Sequence, residues 1–268
     1  MAKEIRIKTH YYISPQIWAW KENRITAIKR DVDKMFVILP FEKNYYEDKH
    51  HFAVEFVGHP LIDAIHNQAF IDANVFRTEN QLNEKPIIAL LPGSRKQEIT
   101  KMLSVMLSVV DDFPDYQFVI AGAPSQEYAF YESFISNENI KFISNKTYDL
   151  LKNATAALVT SGTATLETAL FKVPEVVCYK GNWASYQIAK RIITLKYISL
   201  VNLIMDEEVV TELIQENCNP NSIRRELKKI LEPDHRKRLL EKYDLLEKKL
   251  GGIGASEKTA KLIVSDLK

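Results

Sequence analysis

From Ile87 onward the chain alternates short apolar runs with helix-length segments, and this rhythm constrains the fold more than any other feature. Ile87–Leu91, Gln117–Ala121, Ile140–Ile143, Ala156–Thr160 and Glu175–Tyr179 read as strands. Helical patterns separate most of them: Glu98–Val110, the stretch after Pro124 through Phe134, Thr147–Asn153, and the one opening at Thr163. Strands interleaved with helices pair side by side in one direction, so the pattern predicts an α/β fold with a parallel, doubly wound sheet. Ligands of such sheets bind beyond the carboxyl ends of the strands. The loop Pro92-Gly93-Ser94-Arg95 and the turn Ser161-Gly162-Thr163 both follow strands directly. They therefore fall on that same edge.

The residues ahead of Ile87 carry a second, shorter series. His10–Ile13 reads as a strand stopped by Ser14-Pro15, with a helix expected from about Gln16 to Lys29. Lys34–Leu39 and Ala53–Val57 read as strands and Phe41–Asp48 as a short helix, and Gly58-His59-Pro60 is a break before a helix from Leu61. Residues 67–86 are polar and turn-rich and read as a linker. The expected organisation is a domain over 1–66, a linker over 67–86 and a second domain over 87–268. That second domain turns mostly helical from Trp183 onward.

Composition narrows the function classes. A chain of 268 residues with 46% hydrophobic content supports about two cores. A net charge of +1 gives no global attraction to nucleic acid. Between Arg224 and Lys249, ten Lys/Arg stand against six Asp/Glu, which reads as a solvated helix surface or as a contact for acidic lipid head groups. Cys178 and Cys218 are far apart in sequence and set no disulfide or metal framework, and the six histidines show no ligand spacing. No metal and no cofactor are expected. No stretch approaches the ~18 apolar residues of a membrane span, and the first residues lack the apolar core of a signal peptide. The expected location is cytoplasmic.

Two stretches can carry chemistry. In Leu158–Glu167 a strand runs into a small hydroxyl-rich turn and then a helix. That gathers unpaired backbone N–H groups and the positive end of a helix dipole, a seat for phosphate. Ser161, Thr163 and Thr165 add hydroxyls, Gly162 allows close approach, and Glu167 one turn in can accept from a sugar hydroxyl. A plain helix start capped by Ser161 is the alternative. In the other stretch, Gly93 and Ser94 suit a tight turn and Arg95 can grip a phosphate with two parallel hydrogen bonds. Glu98 lies at capping distance. Two such loops on one sheet edge favour a diphosphate. His59 lies in a turn between apolar segments, either packed there or facing a cleft where it donates to a substrate. The chain has no GxGxxG, Walker lysine loop, GxSxG or HExxH, which disfavours dehydrogenases, P-loop ATPases, serine hydrolases and zinc proteases.

Six segments in order complete the picture: Tyr12-Ile13-Ser14-Pro15-Gln16-Ile17-Trp18-Ala19-Trp20, Leu39-Pro40-Phe41-Glu42-Lys43, Phe56-Val57-Gly58-His59-Pro60-Leu61, Leu91–Arg95, Ser161–Glu167 and Tyr197–Leu203. Together they resemble lipid-A-disaccharide synthase, a family of inverting glycosyltransferases of the GT-B type with two Rossmann-like domains. The resemblance implies a complete C-terminal Rossmann-like domain and the remnant of an N-terminal one. It implies transfer from UDP-2,3-diacylglucosamine to 2,3-diacylglucosamine 1-phosphate, releasing UDP, without a metal, at the inner face of the cytoplasmic membrane. Arg95 would neutralise the UDP leaving group, framed by Gly93 and Ser94. Ser161, Gly162, Thr163 and Thr165 would hold the diphosphate, Glu167 the ribose, and Asn202 would lie in the sugar-nucleotide cleft. The family's glycine-rich Gly-Glu-Xaa-Ser-Gly-Asp opening is not seen, so the general base is expected outside this chain. A partner chain or second copy would complete the domain, or the chain is a UDP-sugar-binding fragment without turnover. Asp31, Asp33 and Asp63 are the nearest carboxylates, and nothing in the sequence singles one out.

Overall fold

The computed structural model describes residues 7–160, 162–181 and 196–267, and they form two compact units. The first holds residues 7–68 together with 244–267. Its strands β1 (His10–Tyr12), β2 (Lys34–Val37) and β3 (Glu55–Phe56) form a parallel sheet in that order. Ile17, Ile28, Met35, Val37, Tyr46 and Val54 make its core.

The helix expected from Gln16 to Lys29 is not continuous. Ile17–Ala19 form a turn, Lys21 adopts a left-handed backbone (φ 57°), a single 3₁₀ turn covers Glu22–Arg24, and only Ile25–Asp31 is α-helical. A left-handed residue ends a right-handed helix, and the Trp18 indole N–H is held by the Glu42 carboxylate (3.1 Å). The next helix, Pro40–Asn44, starts on proline at its first turn, where the missing N–H has no helical partner to lose.

The helix Ala255–Asp266 also belongs to this unit, whereas the sequence placed all C-terminal helices with the second domain. The reason is a carboxylate. Asp63, in the helix Pro60–His66, accepts from the Gly254 N–H (2.6 Å) and the Ser256 N–H (2.8 Å) and so ties down the start of Ala255–Asp266.

The second unit holds residues 69–181 and 196–243. Six parallel strands, β4 (Ile87–Leu91), β5 (Gln117–Gly122), β6 (Ile140–Ser144), β7 (Ala154–Thr160), β8 (Glu175–Tyr179) and β9 (Glu212–Ile214), lie in the order β6-β5-β4-β7-β8-β9. All five residues of β4 and all six of β5 are buried. Unbroken burial of this kind marks a parallel sheet covered on both faces. The segment expected as a linker contributes a helix, Ala73–Glu79, capped by Asp72, and its Phe76 is fully buried against Leu82, Ile87 and Leu151. Three helices close the unit: Leu200–Met205, Pro220–Leu231 and Pro233–Lys249, the last continuing into the first unit. Residues 182–195 of the expected helical stretch lie outside the described residues. Among the described residues no helix is long and apolar enough to cross a membrane.

Candidate functional site

The strand order fixes where a ligand can sit. From β4 the chain winds outward through β5 to β6, then returns to place β7 against the other side of β4. Such a reversal opens a crevice at the carboxyl ends of the two central strands. Here Leu91 of β4 pairs with Val159 of β7, so the loops that follow them leave the sheet side by side.

The loop after β4 is pre-shaped. Gly93 has φ 104°, a backbone suited to glycine, and a Cβ there would run into the Glu98 side chain. Glu98 Oε2 accepts the Ser94 N–H (3.2 Å), and Ser125 Oγ donates to the Ser94 carbonyl (2.9 Å). The Ser94 amide is therefore already bonded, while its hydroxyl side lies at the surface. Arg95 is the N-cap of the helix Lys96–Leu107, and its carbonyl accepts the Ile99 N–H (2.9 Å). Its exposed guanidinium has no acidic partner among the described residues. An unpaired Arg beside an uncapped helix start is a ready anion ligand.

The turn after β7 is open. Ser161 lies outside the described residues. Gly162 (φ 138°, ψ −159°) is the N-cap of the helix Thr163–Leu170, and a Cβ on it would meet nothing within 4 Å. Among the described residues no side chain caps that helix. Thr163 is exposed, whereas Thr165 is fully buried and its hydroxyl donates to the Gly162 carbonyl (2.9 Å). Thr165 therefore fastens the turn from below. Thr160, at the end of β7, is buried, and among the described residues its hydroxyl has no hydrogen-bond partner.

Glu167 is half-buried and accepts the Tyr148 O–H at Oε1 (3.0 Å). Burial pushes its carboxyl above the usual range, and the Tyr148 hydrogen bond works against that push.

Asn202 differs from its expected part. It is fully buried, and its amide makes four hydrogen bonds: Nδ2 donates to the Val210 carbonyl (2.8 Å) and Glu212 Oε1 (2.9 Å), and Oδ1 accepts the Val209 (2.8 Å) and Val210 (2.9 Å) N–H groups. That is the full capacity of an amide. Glu212 also accepts the Ile198 and Ser199 N–H groups. Asn202 thus pins the helix Leu200–Met205 to β9 and has no hydrogen bond left for a ligand.

In the first unit, His59 is the N-cap of Pro60–His66, and Nδ1 accepts the Leu61 N–H (3.2 Å). Burial holds its pKa down at about 4, so the ring is neutral at pH 7, with Nε2–H as its donor. The nearby carboxylates serve structure: Asp63 caps a helix, Asp33 takes the Thr9 N–H, and Asp31 pairs with Arg30. Among the described residues no cluster of His, Cys, Asp and Glu could hold a metal.

Sequence reasoning did not anticipate Tyr148, which supports Glu167, or Ser125, which steadies the Ser94 loop. Neither carries a local signal, because each reaches the site only through the folded sheet. The Glu98 contact was legible, lying three residues past the N-cap Arg95.

Comparison with known proteins agrees with this architecture. A family model described as lipid-A-disaccharide synthetase matches residues 1–264. The chain is 39% identical over 275 residues to the lipid-A-disaccharide synthase of Syntrophus aciditrophicus, covering 100% of this chain and 71% of that protein. It is 37% identical over 276 residues to that of Idiomarina loihiensis, covering 99% and 71%. The chain thus spans about seven tenths of the length of these relatives. Among solved structures, the glycotransferase of kitacinnamycin superposes with a TM-score of 0.62 at 12% identity, covering 100% of this chain and 72% of that one. That likeness is one of fold, an α/β architecture of the GT-B type.

Proposed function

The chain belongs to the lipid-A-disaccharide synthase family, glycosyltransferases of lipid A biosynthesis, and from that premise we propose that its second unit carries the donor site, with the β4 and β7 loops holding the diphosphate of a UDP-diacylglucosamine. The observation that carries this reading is the pairing of β4 with β7 at the strand-order reversal, which sets Arg95 and the uncapped start of Thr163–Leu170 on neighbouring loops. The acceptor is diacylglucosamine 1-phosphate, and the products are the disaccharide 1-phosphate and UDP. As the glycosidic bond to the donor breaks, negative charge builds on the departing diphosphate. The N–H groups of Thr163 and Ala164 are held in the helix before that charge appears, and the Arg95 guanidinium pairs with the charge as it builds, so together they stabilise the transition state more than the ground state. Ser94 and Gly93 shape the loop, Gly162 leaves room for the phosphate oxygens, and Ser161 and Thr163 add hydroxyl donors. Thr165 and Asn202 act as supports, and Glu167 accepts from the ribose. Within the first unit, His59 Nε2–H can donate to a substrate oxygen. The diacyl chains of both substrates support a peripheral position on the inner face of the cytoplasmic membrane, and the basic excess between Arg224 and Lys249 suits an anionic surface.

The test is UDP binding by calorimetry on the wild type and Arg95→Ala. Loss of a charge-assisted contact of about 2 kcal/mol lowers affinity roughly thirtyfold. The melting temperature stays within error, because Arg95 is exposed. Equal UDP affinity in the two proteins would overturn the donor-site assignment.

A further inference from the structure

Glu167 sits in a strained electrostatic position. It lies one turn inside the helix whose start faces the proposed phosphate site, about 6 Å along the axis from Thr163, a span comparable with that from a nucleotide's phosphate to its ribose hydroxyls. To accept from two ribose hydroxyls it must be ionised and correctly turned. Burial opposes ionisation. Among the described residues one hydrogen bond supports it, the Tyr148 O–H to Oε1 at 3.0 Å. Oε2 has no such partner there.

Tyr148 is held where that bond requires it. It opens the helix Thr147–Asn153, and its ring packs on Phe171 (centroids 5.1 Å apart), which meets Phe70 edge-on (5.8 Å). Phe171 directly follows the helix that carries Glu167. The phenol has a single proton, and geometry commits it to Oε1. Burial and the nearby Glu167 charge both push the Tyr148 phenol well above its ordinary value, so it remains a donor at every working pH.

We propose that Tyr148 is a positioning residue of the donor site: by holding Glu167 through Oε1 it presents Oε2 to the paired hydroxyls of a ribose, and so makes the site select ribonucleotides over deoxyribonucleotides. The inference rests on the donor-site reading above and deepens it.

The experiment measures binding of UDP and 2′-deoxy-UDP to the wild type, Tyr148→Phe, Glu167→Gln and the double variant, with donor KM and kcat beside them. Tyr148→Phe keeps the ring and its packing. The wild type is expected to prefer UDP about tenfold. Tyr148→Phe should lose about fivefold in UDP affinity and less than twofold for 2′-deoxy-UDP, so that discrimination falls to about two- to fourfold. Donor KM should rise with kcat nearly unchanged, and the double variant should be no worse than Glu167→Gln, as one coupled unit requires. If Tyr148→Phe keeps full discrimination while Glu167→Gln loses it, the proposal fails and the donor-site reading stands. Equal weakening of both nucleotides by Tyr148→Phe would make the residue merely structural and also sink the proposal. If Glu167→Gln leaves UDP binding untouched, the ribose reading fails, and this inference with it.

Discussion

The carboxyl edges of the two sheets are built from similar parts and used in opposite ways. In the first unit one buried carboxylate is satisfied by the protein itself. Glu42, in the helix Pro40–Asn44 that follows β2, is almost fully buried, and its two oxygens accept from Ser14 Oγ (2.6 Å), Trp18 Nε1 (3.1 Å), Leu39 N (3.0 Å) and Ile38 N (3.3 Å). One side chain thus joins the Ser14–Trp18 segment to the Leu39–Glu42 segment, two of the stretches that carry the family resemblance. In the second unit the edge is left with capacity to spare: an exposed Arg95, an uncapped helix start, and a glycine whose missing Cβ faces open space. Polar groups that are saturated by the protein build a scaffold, and those left over mark where a ligand completes the bonding.

The comparison breaks most sharply at Glu42. Glu42→Ala leaves several buried donors with no acceptor, and each orphaned group costs free energy. We expect a loss of about 3 kcal/mol in urea-induced unfolding, read from the midpoint at constant m. UDP affinity at a temperature where the variant is still folded should stay within about twofold, because Glu42 belongs to the first unit and the proposed donor loops to the second. A large drop in UDP affinity with little change in stability would mean that the saturated edge is itself a ligand site.

Gly162 tests the other half. Its φ of 138° and ψ of −159° lie in a region almost reserved for glycine. Gly162→Ala should cost about 1–2 kcal/mol of stability through backbone strain, with no steric clash inside the protein. Its methyl would project into the space proposed for phosphate, so UDP binding should fall at least tenfold. Unchanged binding would show that the open space over Gly162 is not where the diphosphate lies.

How much of this was legible follows the same division. The sheet of the second unit was readable because β4 to β8 are short apolar runs separated by helix-length segments, a local pattern with one economical solution. Arg95 and Gly162 could be picked out as candidates because glycine and arginine in a strand-to-helix turn suit anion binding whatever the rest of the fold does. What failed was whatever tertiary contacts decide. Trp18 and Trp20 sit in a segment with helical spacing, yet the Glu42 carboxylate and a left-handed Lys21 override it. Residues 67–86 look like a linker because Phe76 is the one buried side chain of their helix, and most of its partners are distant in sequence. Asn202 is placed in the sugar-nucleotide cleft only by the family resemblance, with no local signal of its own. Its four partners, at Val209, Val210 and Glu212, only become neighbours when β9 forms. Cys178 and Cys218, far apart in sequence, come within hydrogen-bonding reach, and that bond together with burial pushes the Cys178 thiol up.

The smallest expected effect concerns Asp63, and it tests the scaffold reading by pH. Burial alone would raise this carboxyl, but hydrogen bonds from the Gly254, Ser256 and Ala255 N–H groups and from the Ser256 hydroxyl outweigh burial and hold it below its ordinary value of 3.8. A carboxyl depressed in the folded state binds fewer protons there than in the unfolded chain, so its contribution is complete above about pH 4. That contribution fades as pH falls through the folded value. Asp63→Asn keeps one acceptor and removes the charge at the start of Ala255–Asp266, so it should cost about 1 kcal/mol at pH 7. The gap between the two proteins, measured by urea unfolding at a series of pH values, should be constant from pH 7 to 5 and close on further acidification. A gap that persists unchanged below pH 3 would show that the side chain stabilises by shape rather than by charge. It would then no longer belong with Glu42 among the carboxylates that the first unit uses up in holding itself together.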